Sequence, residues 1–259
     1  MKKKLVNKEI EEVIDSLRED LDLADDKTKV WNYKYFYDQK NRYIYTLKLI
    51  GKYFTSGKVL DIGSLPCQFL RILSKLGYDV IGLDVNPDRV EKFNKKHSLN
   101  VLKCNIDFEK IPVESNTFDL VLFLEVIEHL RINPITTLRE IKRVLKPNGI
   151  MILSTPNLYA LHTITRFITG RGLFDAYKEF EKLEKYGHMG HSRLYHRKEL
   201  KEFLTKTGFE VIESIYVFYG YSPKICGVLG VIANLIYLIT PLSMKPYQIA
   251  VCKKPNRKF

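Results

Sequence analysis

Cysteine is scarce and scattered. Cys67, Cys104, Cys226 and Cys252 are spread over a chain of 259 residues. No two form a CxxC pair, and no histidine stands near one at ligand spacing. This excludes a disulfide framework and predicts reduced, metal-free thiols in a cytosolic chain. A signal sequence is missing as well. The start, MKKKLVNKEIEEV, has lysines, but acids occupy the place of the apolar core that export requires. Neither secretion nor an N-terminal anchor is expected. Internal repeats, low-complexity tracts and dense basic runs are also absent. The formal charge is nevertheless +12, which nucleic acid, an anionic membrane surface or an acidic substrate could each exploit. Lysine alternates with glutamate through much of the chain, so the charge reads as a composition bias, and nucleic acid is disfavoured as a partner.

What is present is an ordinary globular composition, 45% hydrophobic and 28% charged. The length fits one large α/β domain with additions, or two small ones. Val6, Ile10, Val13, Ile14, Leu17 and Leu21 recur at helical spacing and predict an amphipathic helix over 5–23, ended by Asp25 and Asp26. A second helical stretch is rich in aromatics: Trp31, Tyr35, Phe36, Tyr43, Leu47 and Ile50. Gly57 then turns the chain into KVLDIGSLPCQFLRILSKLGYDVIGLDVNPD, 58–88. There a strand at 58–62, a helix at 66–76 ending at Gly77 and a strand at 79–84 follow one another, and each strand closes on an acid, Asp61 or Asp84. Further strands are expected near 101–104, at 118–123 (FDLVLF), at 150–155 (IMILST) after the turn Pro147-Asn148-Gly149, at 209–217 and at 247–253. Helices are expected at 134–145, with Asn133 as cap and Pro134 in the first turn, and at 197–206. Such alternation means a mostly parallel sheet with helices on both faces. Open sheets of that kind bind adenosine-containing ligands beyond the carboxyl ends of their strands.

Four segments, VLDIG at 59–63, GLDVNP at 82–87, TFDLVLFLEVIEHL at 117–130 and IKRVLKPNGIMILSTPN at 141–157, stand in an order and spacing that resembles the class I S-adenosylmethionine-dependent methyltransferases. The nearest look is to those that methylate small molecules, sugars and lipid-like acceptors. The resemblance is good over 55–160 and looser over 188–253. It implies a Rossmann-like, seven-stranded, mostly parallel sheet of order 3-2-1-4-5-7-6 with the last strand antiparallel, and S-adenosyl-L-methionine as cofactor. The organisation expected is an N-terminal helical cap, 1–54, before a methyltransferase domain, 55–259, in which 157–195 is a substrate or lid insertion.

The glycine loop departs from the family pattern. Asp61-Ile62-Gly63-Ser64-Leu65-Pro66-Cys67 keeps one glycine of three. A dinucleotide needs those glycines so that backbone N–H groups can approach a pyrophosphate, and Pro66 has no N–H to give. A sulfonium cofactor carries no phosphate and tolerates the loss better. The same loop also motivates the alternative of a non-catalytic scaffold. By resemblance, Asp84, with Val85 beside it, takes the ribose hydroxyls, the bland reading being a solvated strand-end acid. Asp61, Gly63 and Ser64 form the loop side of the cofactor site, where Asp61 orders the loop or holds the methionine ammonium through water. Asn105 and Ile106 stand where the family reads adenine, an Asn offering both donor and acceptor; Asp107 is the alternative. Glu125 would meet the cofactor's cationic end.

For the transfer itself, His129 and His191 are the candidate catalytic bases, with His188 and Tyr195 also in reach of that role. Glu128 and His129 could instead cap the short helix they sit in. The family's H-x-R-x-aromatic pattern is matched by His191, Arg193 and Tyr195. Arg193 could grip a carboxylate, phosphate or sugar hydroxyl, and Arg193 with Tyr195 is assigned to the substrate. His188, His191 and His196 fit no zinc spacing, and no metal is expected. Trp31, Tyr35, Tyr37 and Tyr43 are either core or a cap over the cofactor. The charge-free run ICGVLGVIANLIYLITPLSM, 225–244, has three readings: a buried helix and loop, an in-plane membrane contact, or a span. The function expected is methyl transfer to oxygen on a small-molecule, sugar or lipid-linked acceptor, in the cytoplasm or peripherally at a membrane. An RNA methyltransferase is the competing enzyme reading.

Overall fold

The computed structural model describes residues 7–23, 29–186, 190–220 and 223–256. Its strands are β1 (Lys58–Ile62), β2 (Asp79–Asp84), β3 (Val101–Lys103), β4 (Phe118–Leu124), β5 (Leu145–Pro156), β6 (Glu210–Val217) and β7 (Tyr247–Lys253). They form one sheet of order β3-β2-β1-β4-β5-β7-β6. β1, β2 and β3 pair in parallel, and β7 is antiparallel to both β5 and β6. The expected order and the reversed last strand are borne out. The helices are α1 (Asn7–Asp15), α2 (Lys29–Tyr53), α3 (Gln68–Lys75), α4 (Glu91–Lys96), α5 (Pro134–Val144), α6 (Leu161–Ile168), α7 (Ala176–Tyr186), α8 (Arg197–Lys206) and α9 (Pro223–Ile239).

The chain divides into two compact units. The first holds Met1–Cys104, Phe118–Leu120 and Tyr219–Leu238; the second holds the remainder. In the first, Val59, Leu60 and Ile62 of β1 are buried with Leu70, Ile72 and Leu73 of α3. Ile10, Ile14, Leu17 and Leu21 form the buried stripe anticipated near the N-terminus. The α-helix there is shorter than its pattern, because Ser16–Leu23 winds as a 3-10 helix. Ser16 Oγ donates to the Val13 carbonyl at 2.7 Å, a local bond that competes with the helical ladder; of the other members of the predicted stripe, Val13 is half-buried and Val6 lies outside the described residues, as do Asp25 and Asp26.

In the second unit, Asn133 caps α5 as expected, its side chain accepting from the Ile135 amide at 3.0 Å. α8 covers the predicted 197–206. β5 begins five residues earlier than expected, at Leu145. The Pro-Asn-Gly turn is drawn into the ladder because the chain beyond β7 pairs with it: the Asn148 amide bonds the Lys254 carbonyl, and the Lys254 amide the Gly149 carbonyl, each at 2.9 Å. Asn148 takes φ 64 to do so, a conformation that Asn tolerates better than most residues.

Of the three readings of 225–244, the buried helix is overturned. α9 is kinked at Gly227 (φ 54), and most of its apolar side chains face solvent, with Val228 75%, Leu229 78% and Leu238 74% exposed. A helix apolar on every side can bury only one of them; here that side carries Tyr237. Among the described residues no helix is long and apolar enough to cross a membrane.

Gly57 shows how tightly the entry to β1 is set. It sits at φ +130, and a Cβ there would lie 2.5 Å from a carboxylate oxygen of Asp119, whose Oδ2 accepts the Lys58 amide at 2.9 Å. Gly57→Ala is expected to lower unfolding free energy by about 2 kcal/mol through backbone strain and displacement of that carboxylate. Urea denaturation measures it; an unchanged midpoint would refute this account of the turn.

Candidate functional site

The first unit gathers a set of buried polar groups around the loop after β1. The Gly63 and Ser64 amides donate to the Leu83 carbonyl at 2.8 and 3.3 Å. The Leu65 amide donates to Asp84 Oδ2 at 3.2 Å, and Asn86 donates to Asp84 Oδ1 at 3.1 Å. Asp84 therefore faces the loop. Gly63 takes φ 72, and Cys67, standing at the third glycine position of the family pattern, takes φ 65. The left-handed backbone has outlasted the glycine. Leu65 and Cys67 pack into a cluster with Leu70, Val90 and Phe93, so their bulk goes into the core. Val85, half-buried, follows Asp84.

Asp61 is 3% exposed. Burial pushes its carboxyl up to about 7; the nearby Arg42 guanidinium opposes that shift and Asp84 adds to it. Arg42 is itself buried. It donates to the Tyr35 hydroxyl at 2.9 Å and lies 5.8 Å from the Tyr43 ring centre. Tyr43 in turn donates to Gln68 Oε1 at 3.1 Å, and its ring stacks on Phe69. Of the four aromatics, Tyr43 is core, Tyr35 and Tyr37 are half-buried, and the Trp31 side chain lies outside the described residues. Arg42 was missed in the sequence. Its signal was a cation inside a helix whose neighbouring positions, Tyr43, Thr46, Leu47 and Leu49, are all buried.

The second unit holds the other predicted residues. The Asn105 Oδ1 accepts the Asp107 amide at 3.2 Å, closing a local turn. Asp107 accepts the Arg131 and Ile132 amides at 2.9 and 3.0 Å, which occupies both its oxygens. Ile106 is buried, and its carbonyl accepts from Thr137 Oγ1. Glu125 takes φ 57 and accepts from Ser154 Oγ at 2.7 Å. Such a conformation is strained for a side-chain-bearing residue.

His129 and His191 come together, with ring centres 4.9 Å apart. His129 Nδ1 is 3.0 Å from the Gly190 carbonyl. A carbonyl only accepts, so Nδ1 carries the proton and the Nε2 lone pair is left for other work. Burial holds this imidazole down to about 4 and also lowers His191, which Glu179 partly offsets. Glu128 is 1% exposed and accepts from Thr155 Oγ1 at 2.9 Å. Glu128, His129 and His191 each offer a ligand atom within 4.8 Å of the others; they are the described residues with the chemistry to hold a cation. Arg193 is exposed, pairs with Glu199 and lies 5.4 Å over the Tyr195 ring. Tyr195 is 1% exposed, and burial pushes its hydroxyl up to about 12. His196 caps α8, and His188 lies outside the described residues.

A family model described as a methyltransferase domain matches residues 34–214. An uncharacterised protein of Methanocaldococcus jannaschii is 30% identical over 193 residues, which is 70% of this chain and 73% of that protein. A ubiquinone biosynthesis O-methyltransferase of Cereibacter sphaeroides is 36% identical over 103 residues, or 39% of this chain. The match spans only 41% of that relative's length. Among solved structures, an S-adenosylmethionine-dependent methyltransferase of Archaeoglobus fulgidus has the same fold, with TM-score 0.58 at 19% identity, covering 86% of this chain and all of that one.

The His129 environment sets a pH dependence. Below its ordinary value the unfolded chain takes up a proton that the folded protein refuses until about pH 4. Stability is therefore full above pH 6.5 and falls as pH drops from there toward 4, by about 3 kcal/mol from this residue. His129→Asn should flatten that part of the curve in denaturation measured at pH 7 and pH 4.5. Equal pH slopes in both proteins would contradict it.

Proposed function

This chain belongs to the S-adenosylmethionine-dependent methyltransferases, and on that premise we propose that it methylates a hydroxyl oxygen of a small or lipid-linked acceptor. The first unit's groups fit the cofactor's chemistry. A buried cation (Arg42) suits the methionine carboxylate, a buried acid at the loop (Asp61) suits its ammonium, and the strand-end acid Asp84, with Val85 beside it, suits the two ribose hydroxyls. Gly63 and Ser64 supply the loop backbone. In the second unit, Asn105 and Ile106 would take adenine through the carboxamide and an apolar contact, and Glu125 the cationic end of the cofactor. Within this proposal the helices of 1–54 cap the domain and 157–195 serves the acceptor.

When bound, S-adenosylmethionine supplies an electrophilic methyl carbon on an excellent leaving group. The chain's own task is to align the acceptor, exclude water and remove a proton. The observation that carries oxygen methylation is the fixed tautomer of His129. With Nδ1 bonded to the Gly190 carbonyl, a neutral imidazole presents Nε2 to a hydroxyl proton, and burial keeps it neutral at physiological pH. His191 packs beside it and is its partner in orienting the hydroxyl. Arg193, laid over Tyr195, would hold an anionic or hydroxylated group of the acceptor. The relatives named as ubiquinone biosynthesis O-methyltransferases support an oxygen acceptor on an apolar body.

Three measurements test this. S-adenosylhomocysteine should bind the wild type in titration calorimetry, and Asp84→Ala should weaken that binding by about a hundredfold or more. His129→Ala should leave the affinity intact while lowering turnover on hydroxylated aromatic acceptors by about 10²-fold. Transfer to RNA with no turnover on any hydroxylated small molecule would overturn the acceptor assignment.

A lipid-linked acceptor is favoured by one further observation. α9 exposes Val228, Leu229, Leu235 and Leu238 on a chain of net charge +12, a combination suited to lying in the interface of an anionic bilayer. The wild type should co-sediment with phosphatidylglycerol vesicles, and Leu229→Glu with Leu238→Glu should abolish it. Equal sedimentation of both proteins would remove the membrane from the proposal.

A further inference from the structure

Among the buried side-chain atoms of the first unit that lack a hydrogen-bond partner, which include Arg71 Nε and Asn94 Oδ1, Asn32 Oδ1 lies next to the helix that follows the β1 loop. Asn32, in the first turn of α2, is 4% exposed. Its backbone carbonyl accepts from Gln68 Nε2 at 3.2 Å. Its side-chain Oδ1 is fully buried and has no hydrogen-bond partner. Native proteins satisfy nearly all such atoms, and the exceptions call for an explanation.

The neighbours indicate what would satisfy it. Gln68 opens α3 directly after the loop Gly63–Cys67, and its Oε1 is bonded by the Tyr43 hydroxyl. Tyr43 adjoins Arg42 and feels the Asp61 carboxyl. A line of buried groups thus runs Asn32, Gln68, Tyr43, then Arg42 and Asp61. It contains one cation, one acid and one orphaned neutral acceptor. An α-amino acid end group carries the complement: a carboxylate for the cation, and an ammonium with three N–H donors for the acid and the acceptor.

We propose that Asn32 Oδ1 is a cofactor-binding atom that accepts an N–H from the α-ammonium of the methionine moiety. This rests on the cofactor assignment above and extends it to a helix that precedes the sheet. An apolar residue on this stripe would pack equally well, four positions before buried Phe36; the carboxamide is explained by the ligand and not by the fold.

The test compares S-adenosylhomocysteine with 5′-methylthioadenosine, which keeps the adenosine and thioether but lacks the amino acid end. Wild type, Asn32→Ala and Asn32→Asp are titrated with both by calorimetry, and the ligand-free thermal midpoints are recorded. Asn32→Ala should weaken S-adenosylhomocysteine about tenfold, the worth of a hydrogen bond to a charged group, and leave methylthioadenosine unchanged. Its ligand-free midpoint should hold or rise, because the folded protein loses an unsatisfied acceptor and no bond. Asn32→Asp should retain the affinity for S-adenosylhomocysteine by placing an acceptor against a cation. Equal weakening of both ligands with a lowered midpoint would assign Asn32 a structural role and overturn the proposal, as would unchanged affinity in Asn32→Ala. Failure of the wild type to bind S-adenosylhomocysteine would count against the cofactor site itself, a separate outcome.

Discussion

The first unit depends on the way the end of β2 holds the loop after β1. The Leu83 carbonyl takes two loop amides, and the Asp84 carboxylate takes the next. A loop that has lost two of its family's three glycines would otherwise have no reason to keep its course. These bonds fix it, and the backbone at Cys67 is carried into the left-handed region at a cost of about 1–2 kcal/mol for a residue with a Cβ. The compensation is visible. The Cys67 side chain is fully buried with Leu70, Val90 and Phe93, and burial raises its thiol far out of the reactive range. Its sulfur serves as packing, so the loop replaces glycine's freedom with side-chain burial.

The second unit is organised around Glu128. Its carbonyl accepts the Ser192 amide, the Ser192 hydroxyl and the Arg193 amide, while its carboxylate accepts from Thr155. The short turn after β4 and the segment 190–193 therefore hold each other. Gly190 is the tightest point. Its φ is +109, and a Cβ would come within 2.4 Å of the Glu179 carbonyl oxygen. Only glycine lets the chain pass there and present its own carbonyl to His129. Glu179 meanwhile accepts the His191 amide at 2.8 Å. The tautomer of one histidine and the backbone of the other are fixed by groups that take no part in chemistry themselves, an arrangement suited to orienting imidazoles.

Much of this was legible in the sequence. The strands, their order and the acids at the ends of β1 and β2 follow from alternation and from the four family segments. Asn133 and the bounds of α8 follow from capping chemistry. The pairing of His129 with His191 was partly visible, since both were named, but not their 4.9 Å approach, because the bond joining their segments is made by a backbone carbonyl. Arg42 and Asn32 escaped notice for a related reason. Both sit on a helix whose pattern reads as aromatic core, and a single sequence cannot show which polar residues on such a stripe are buried. The choice among the three readings of α9 could not be made from the sequence, because a run apolar on every side has no period to say which face is covered. The start of β5 was displaced by Lys254, more than a hundred residues away in sequence.

The distribution of buried polar groups is unlike what stability alone would select. Asp61, Asn32 and Glu128 are each nine-tenths or more buried. Burying an acid whose carboxyl is pushed to about 7, or an amide oxygen with no partner, costs folding free energy that an apolar side chain of equal volume would not. Where the buried group is fully bonded, as Gln68 is through its two partners, the cost is offset within the fold. Where it is not, the offset has to come from something that binds. Asn32 and the incompletely compensated Asp61 both belong to the unit whose loop faces Asp84, and under the proposal above one amino acid head group would satisfy both. Ligand binding and folding are then coupled through the same residues, and the folded state should gain most from the cofactor where its own sequence leaves it weakest.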